Sequence, residues 1–131
     1  KEEAVSVEGF SGPYVLYAVA RMNSILRKAS EQDVVVAMEY SALPDDRERA
    51  LLMLLSNSYD VLIKAKDGYN PSVVAKYCFD LAQLFNDWYA HCPILGEDRS
   101  ISSARVGLVI GIQHVLVRML EIVGIDAVVE M

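Results

Sequence analysis

The sequence predicts an all-α fold, a single helical bundle of about five helices. Two observations carry this. Apolar residues recur at helical spacing almost from end to end. Each of the four prolines stands where one periodic run ends or the next begins. No β-hairpin signal, internal repeat or low-complexity tract interrupts the pattern. At 131 residues and 53% apolar, the chain suits one domain, residues 1–131, with a real core. It is too apolar for disorder.

The elements follow in order. Gly12-Pro13 opens a first helix over residues 14 to about 30, because Pro suits a first turn. Val15, Val19, Met22 and Leu26 recur on one of its faces. Residues 32–43 are ambiguous, since the run of three valines fits a helical turn or extended chain. Pro44, Asp45 and Asp46 supply a break and an N-cap for a helix from about residue 47 to 56. A shorter helix starts at Ser58 or Asp60 and ends near Gly68, a C-cap.

Asn70-Pro71 caps and opens a long helix to about His91, which Pro93 ends. Cys78, Ala82, Phe85 and Tyr89 form its apolar stripe, beside Leu81, Leu84 and Trp88. Lys76, Asp80, Gln83 and Asp87 take the opposite face. After a loop, the last helix runs from about Ser102 to Gly124. Leu108, Val109, Ile112, Val115, Leu116, Met119 and Val123 cover so wide an arc that it should lie deep in the bundle. Val106, Ile110 and Val117 lie on its other flank. They are either more core or an exposed apolar strip for a surface outside the chain. The apolar tail after Gly124 is expected to be docked.

The net charge of −6 excludes a generic polycation for nucleic acid or anionic membrane, so any nucleic-acid contact must be a local patch. The longest apolar run, residues 106–112, is far short of the roughly 20 residues of a membrane span, so no membrane partner is expected. The Lys-Glu-Glu opening, with no Met and no apolar signal, reads as a piece of a longer protein. Cys78 and Cys92 would sit about 20 Å apart along one helix, too far for a disulfide. Two reduced thiols point to a cytoplasmic location.

Catalysis has little to work with. His91 neighbours Cys92, but adjacent helical side chains diverge by about 100°. Structural zinc needs a ligand spacing that is absent, and there is no Gly-rich phosphate loop. Asp45, Asp46, Glu48 and Asp60 read as helix-start carboxylates favoured by the dipole. Met22, Met53 and Met119 read as core filler. No catalytic residue, metal or cofactor is assigned to this domain.

One face carries more. On a wheel of about 100° per residue, Tyr17, Arg21, Ser24 and Lys28 fall within about 80° of Tyr14, apart from the apolar arc. Aromatics stack unpaired bases at about 1–3 kcal/mol each, and basic heads hold the backbone. The plainer alternative is two packed tyrosines with wet hydroxyls and solvated bases.

Three segments resemble one family: EGFSGPYVLYAVARMNSILRKA, FDLAQLFNDWYAHCPIL and SARVGLVIGIQHVLVRMLEIVGIDAVVEM. They are similar to the C-terminal anticodon-binding (DALR) domain of arginyl-tRNA synthetases. The match is weakest over residues 31–43. Cysteinyl-tRNA synthetases carry a related domain, but the Gly-Pro-Tyr entry and terminal Met favour the arginine enzyme.

The resemblance implies a class I synthetase, an arginine–tRNA ligase, whose upstream catalytic domain uses ATP with Mg. Neither its HIGH-type nor its KMSK-type motif occurs here. Implied partners are the anticodon arm of tRNA(Arg) and that catalytic domain, with the fragment itself monomeric. Carried over, the residues around the anticodon are Glu8, Gly9, Phe10, Ser11, Tyr14, Tyr17, Tyr89 and Met131. The wheel adds Arg21 and Lys28. The chain departs from the family where Leu16 and Val19 replace the usual Gln and His. It also ends Val128-Val129-Glu130-Met131 instead of Pro-Glu-Arg-Met, and Pro93-Ile94 replaces an aromatic sometimes found past the Cys. Ile110 and Val117 stand where the family tends to carry basic residues. From the residues alone, a helical protein-interaction module or a bundle holding an apolar ligand remains open.

Overall fold

The computed structural model describes residues 12–68 and 71–122. Among them run five helices: α1 (Gly12–Glu31), α2 (Asp46–Ser56), α3 (Ser58–Gly68), α4 (Pro71–His91) and α5 (Arg99–Ile122). There is no strand among the described residues. The expected order of elements stands. The Asn70 cap and the tail from Val123 onward lie outside the described residues.

Local chemistry sets most boundaries. Helix α1 ends in a Schellman motif: Val34 N donates to Ala29 O at 3.0 Å and Asp33 N to Ser30 O at 3.1 Å. Asp33 takes the left-handed position with φ 56°, which Asp tolerates better than most residues. The ambiguous residues 32–45 then form no regular element. Asp45 caps α2 in a capping box. Its Oδ1 accepts from Arg47 N at 2.8 Å, and its own N–H donates to Glu48 Oε1 at 2.9 Å. Helix α5 starts three residues before the expected Ser102. Asp98 is its cap, accepting from Ile101 N at 3.2 Å, while the Ser102 hydroxyl accepts from Gly96 N at 2.9 Å.

Helix α4 touches all four other helices, and α5 lies against α1, α2 and α4. Their shared interior holds Trp88, Phe85, Leu81, Leu108, Ile112 and Leu116, all essentially without solvent contact. Because α1 meets both α4 and α5, its buried arc runs through Ala18, Ile25 and Ala29, and Leu26 is only half-buried. Met22 and Met119 are core as expected, but Met53 is 73% exposed. It stands two residues from buried Leu51, about 200° round the helix, so it faces outward.

The flank of α5 is not an exposed strip. Val106 is buried, and Ile110 and Val117 are half-buried against the core. The first alternative, more core, therefore holds. Helix α5 is also long and apolar enough to cross a membrane by length and composition, with mean hydropathy 1.4, although its longest unbroken apolar run is short. Half of its most apolar 18-residue stretch is buried inside the bundle, and that stretch includes buried Arg105, so core packing accounts for its apolarity.

Glu48 does more than start a helix. It is 1% exposed, and its Oε2 accepts from Arg105 Nε at 2.5 Å and from Trp88 Nε1 at 3.1 Å. Arg105 Nη1 donates in turn to Pro93 O at 3.0 Å. Nearby, the loop over residues 32–45 is pinned to α5. Ala37 N donates to Ser103 O at 3.1 Å. At Gly107 a Cβ would lie 2.0 Å from Ala37 O, so only glycine admits that approach. The loop turns Val35, Val36 and Met38 outward.

Candidate nucleic-acid interface

Helices α1 and α4 pack together, which sets the outer face of α1 beside the later turns of α4. Tyr14 is 36% exposed and Tyr17 64%. Arg21 and Lys28 are exposed and Ser24 is half-buried. The stripe expected on the wheel is thus at the surface. Tyr14 is braced by Phe79, ring centroids 5.2 Å apart and tilted by 41°.

Arg21 reaches across the seam. Its Nη1 donates to Asn86 Oδ1 at 2.9 Å, and its guanidinium carbon lies 5.0 Å from the Tyr89 ring centroid. Tyr89, partly exposed, runs near-parallel to buried Phe85, at 26° and 6.0 Å. A ladder of π surfaces therefore climbs from the core through Tyr89 to a cation at the surface. Among the described residues no carboxylate lies within ion-pair distance of Arg21. Asp87, next to Asn86, is bound to Arg47 at 3.0 Å. Arg21 thus presents a cation without an ion-pair partner among the described residues, although the chain is acidic.

Of the expected residues, Arg21 and Tyr89 are brought into contact. Tyr14 and Tyr17 stand within two turns of Arg21. Lys28 sits about 10 Å further along the axis, at roughly 1.5 Å per residue, and is a separate point of charge. Glu8, Gly9, Phe10, Ser11 and Met131 lie outside the described residues. Sequence reasoning missed Asn86 and Phe79. Asn86 had a signal, standing three residues before Tyr89 on the same helix face. Phe79 had none, since its meeting with Tyr14 depends on the register between two helices.

Comparison with known proteins decides the family. Residues 15–131 match the DALR anticodon binding domain. The chain belongs to this family. The DALR domain is 42% identical over 130 residues to an arginine–tRNA ligase of Latilactobacillus sakei, covering 99% of this chain and 23% of that protein. A Streptococcus agalactiae arginine–tRNA ligase is also 42% identical, over 134 residues and with the same coverage. The arginyl-tRNA synthetase structure of Thermus thermophilus superposes with TM-score 0.81 at 32% identity, over 92% of this chain and 21% of that one. The chain thus spans about a quarter of the length of the relatives it matches.

The cysteines, His91 and a surface cleft are the other candidates among the described residues. Burial pushes the Cys78 thiol up to about 12. Cys92 is pushed up to about 11, first by burial and then by the Asp45 carboxylate that accepts a hydrogen bond from it. Both shifts favour the protonated thiol, the form least suited to nucleophilic attack. His91 is exposed and turns its Nδ1 to Asp87 O at 2.8 Å, away from buried Cys92. No group of three or more metal-ligating side chains occurs among the described residues. A cleft of about 280 Å³ opens between α3 and α5, over Leu62, Val115, Met119 and Ile122.

Proposed function

We propose that this DALR domain reads the anticodon arm of an arginine tRNA within an arginine–tRNA ligase. The upstream catalytic domain of the same chain, with ATP and Mg, attaches arginine to that tRNA in the cytoplasm. This domain is not itself catalytic, has no cofactor of its own and is monomeric as a fragment. The single observation that supports the reading most is the exposed face of Tyr17, Arg21 and Tyr14. It joins aromatic surface to an unneutralised cation, the combination that unstacked bases require. Residues Glu8, Gly9, Phe10, Ser11 and Met131 belong to the proposed contact set through the family resemblance alone. Binding at this face places the acceptor end of the tRNA at the distant catalytic site.

The test is aminoacylation by the full-length enzyme with an arginine tRNA transcript and with one whose anticodon bases are replaced. Replacement should raise KM in the wild type far more than in an enzyme lacking Tyr17 and Arg21. Equal KM for the two transcripts in the wild type would end the reading. The protein-interaction reading has one observation of its own, the outward Val35, Val36 and Met38. A salt titration separates the two: single-strand RNA binding falls with a log–log slope of about −0.7 per phosphate contact, and apolar docking does not.

A further inference from the structure

We infer that Asn86 and Tyr89 are positioning residues. They hold the Arg21 guanidinium flat, so that its outer plane, not the Tyr89 ring, takes an unstacked RNA base. The inference rests on the reading that this face binds RNA, and it changes which groups do so.

Three observations carry it. The face of Tyr89 that a base would need is occupied, since the Arg21 guanidinium lies over it at 5.0 Å. The ring is itself held in place by buried Phe85, near-parallel at 6.0 Å. Asn86 Oδ1 accepts from Arg21 Nη1 at 2.9 Å, which fixes rotation of the guanidinium in its own plane. A group fixed at one edge and backed on one face retains only its other face and its remaining edges. Arg21 is exposed, as a side chain that offers its free face to a base must be.

A guanidinium plane is a stacking surface for bases, and its five N–H donors leave several for base edges or phosphate. Arg pays a large ordering cost when it is clamped from a free state, and a held one pays less on binding. Asn suits the holding role because a carboxylate there would neutralise the cation. Tyr17 lies one turn before Arg21 on the same face, so the two present adjacent stacking surfaces about 6 Å apart along the axis.

The experiment measures the tRNA KM of the full-length enzyme with an arginine tRNA transcript. Arg21→Lys keeps the charge and loses the plane. It should raise KM by about tenfold, within the range expected for losing one stacked base. Asn86→Ala and Tyr89→Leu should each raise KM about threefold or more in the wild type. Against Arg21→Lys, each should add less than about 1.5-fold, since they act through the same group. Tyr89→Phe, which keeps the ring, should recover most of what Tyr89→Leu loses. If Asn86→Ala lowers the melting temperature, Asn86→Leu takes its place, filling the volume without an acceptor.

The inference is overturned if Asn86 variants leave KM unchanged, or if their effect multiplies in full with Arg21→Lys. It is also overturned if Tyr89→Phe loses as much as Tyr89→Leu, because the hydroxyl would then be reading RNA itself. Failure of the underlying reading looks different: Arg21→Lys and Tyr17→Ala would then both keep the wild-type KM.

Discussion

Arg105 Nε donates to Glu48 Oε2 across 2.5 Å in the interior of the bundle. The other oxygen of the same carboxylate accepts from Asp45 N at the start of α2. One side chain therefore ties α2 to α4, through Trp88, and to α5. A buried ion pair stabilises little on balance, because desolvation offsets attraction. Breaking one is severe, because it strands a charge.

Arg105→Met should accordingly destabilise the domain by about 3–5 kcal/mol. Adding Glu48→Gln removes the stranded charge and keeps one acceptor oxygen, enough for Trp88 Nε1 or Asp45 N but not for both. The double variant should recover roughly half of the loss or more. Urea unfolding followed by fluorescence measures both, since Trp88 is the single tryptophan of the chain. A cost below about 1 kcal/mol for Arg105→Met would show that the pair does not hold the helices together.

Two glycines of α5 should respond with opposite sign. A Cβ at Gly107 meets Ala37 O at 2.0 Å, whereas a Cβ at Gly111 meets nothing within 4 Å. Gly111→Ala should stabilise by up to about 1 kcal/mol through helix propensity. Gly107→Ala gains the same propensity but must push the 32–45 loop off the helix. Overpacking of about 1–3 kcal/mol and the lost Ala37–Ser103 hydrogen bond outweigh that gain. Thermal melting of the two variants is the comparison, and equal shifts would mean that the loop yields freely.

Alkaline pH should unfold the domain. Burial raises Cys78 to about 12 and Tyr77 to about 12, from ordinary values of 9.0 and 10.0. The Tyr77 hydroxyl donates to Leu54 O at 2.6 Å. In this window the unfolded chain has released protons that the folded chain retains. Stability therefore falls as pH rises from about 9 toward 12. Cys92, raised to about 11, adds to the fall with the same sign. Cys78→Ala should flatten the profile above about pH 9 even if it costs stability at neutral pH. An unchanged slope would remove Cys78 as a cause.

What was legible in the sequence was local. Pro13, Pro71 and Pro93, and the capping pattern at Asp45, act within a few residues of the boundaries they set. The starts of α1 and α2 and the end of α4 could therefore be read directly. Asp98 and Ser102 are both plausible caps, and only the bond from Gly96 N to the Ser102 hydroxyl takes Ser102 out of that role. Glu48 was legible as a helix-start acid and illegible as a core residue, because Arg105 is 57 positions away. The same holds at the interface. A stripe of Tyr17, Arg21 and Lys28 is a property of one helix. The clamp on Arg21 by Asn86, 65 positions away, depends on how two helices meet.

The stripe itself is tested most cleanly at Tyr17. It is 64% exposed, so Tyr17→Ala should leave stability within about 0.5 kcal/mol, as for other surface changes. Loss of a stacked base should still weaken tRNA binding by about 1–3 kcal/mol. Tyr59 provides the control, being 69% exposed but on α3, and Tyr59→Ala should change neither quantity. Salt then distinguishes stacking from charge. Tyr17→Ala removes no cation, so it should shift the binding isotherm without altering its log–log salt slope. Lys28→Ala should make the slope shallower by about 0.7, the value for one single-strand phosphate contact. If Tyr59→Ala weakens binding as much as Tyr17→Ala, the RNA does not choose the α1 face, and the tyrosines of this domain act only through bulk surface.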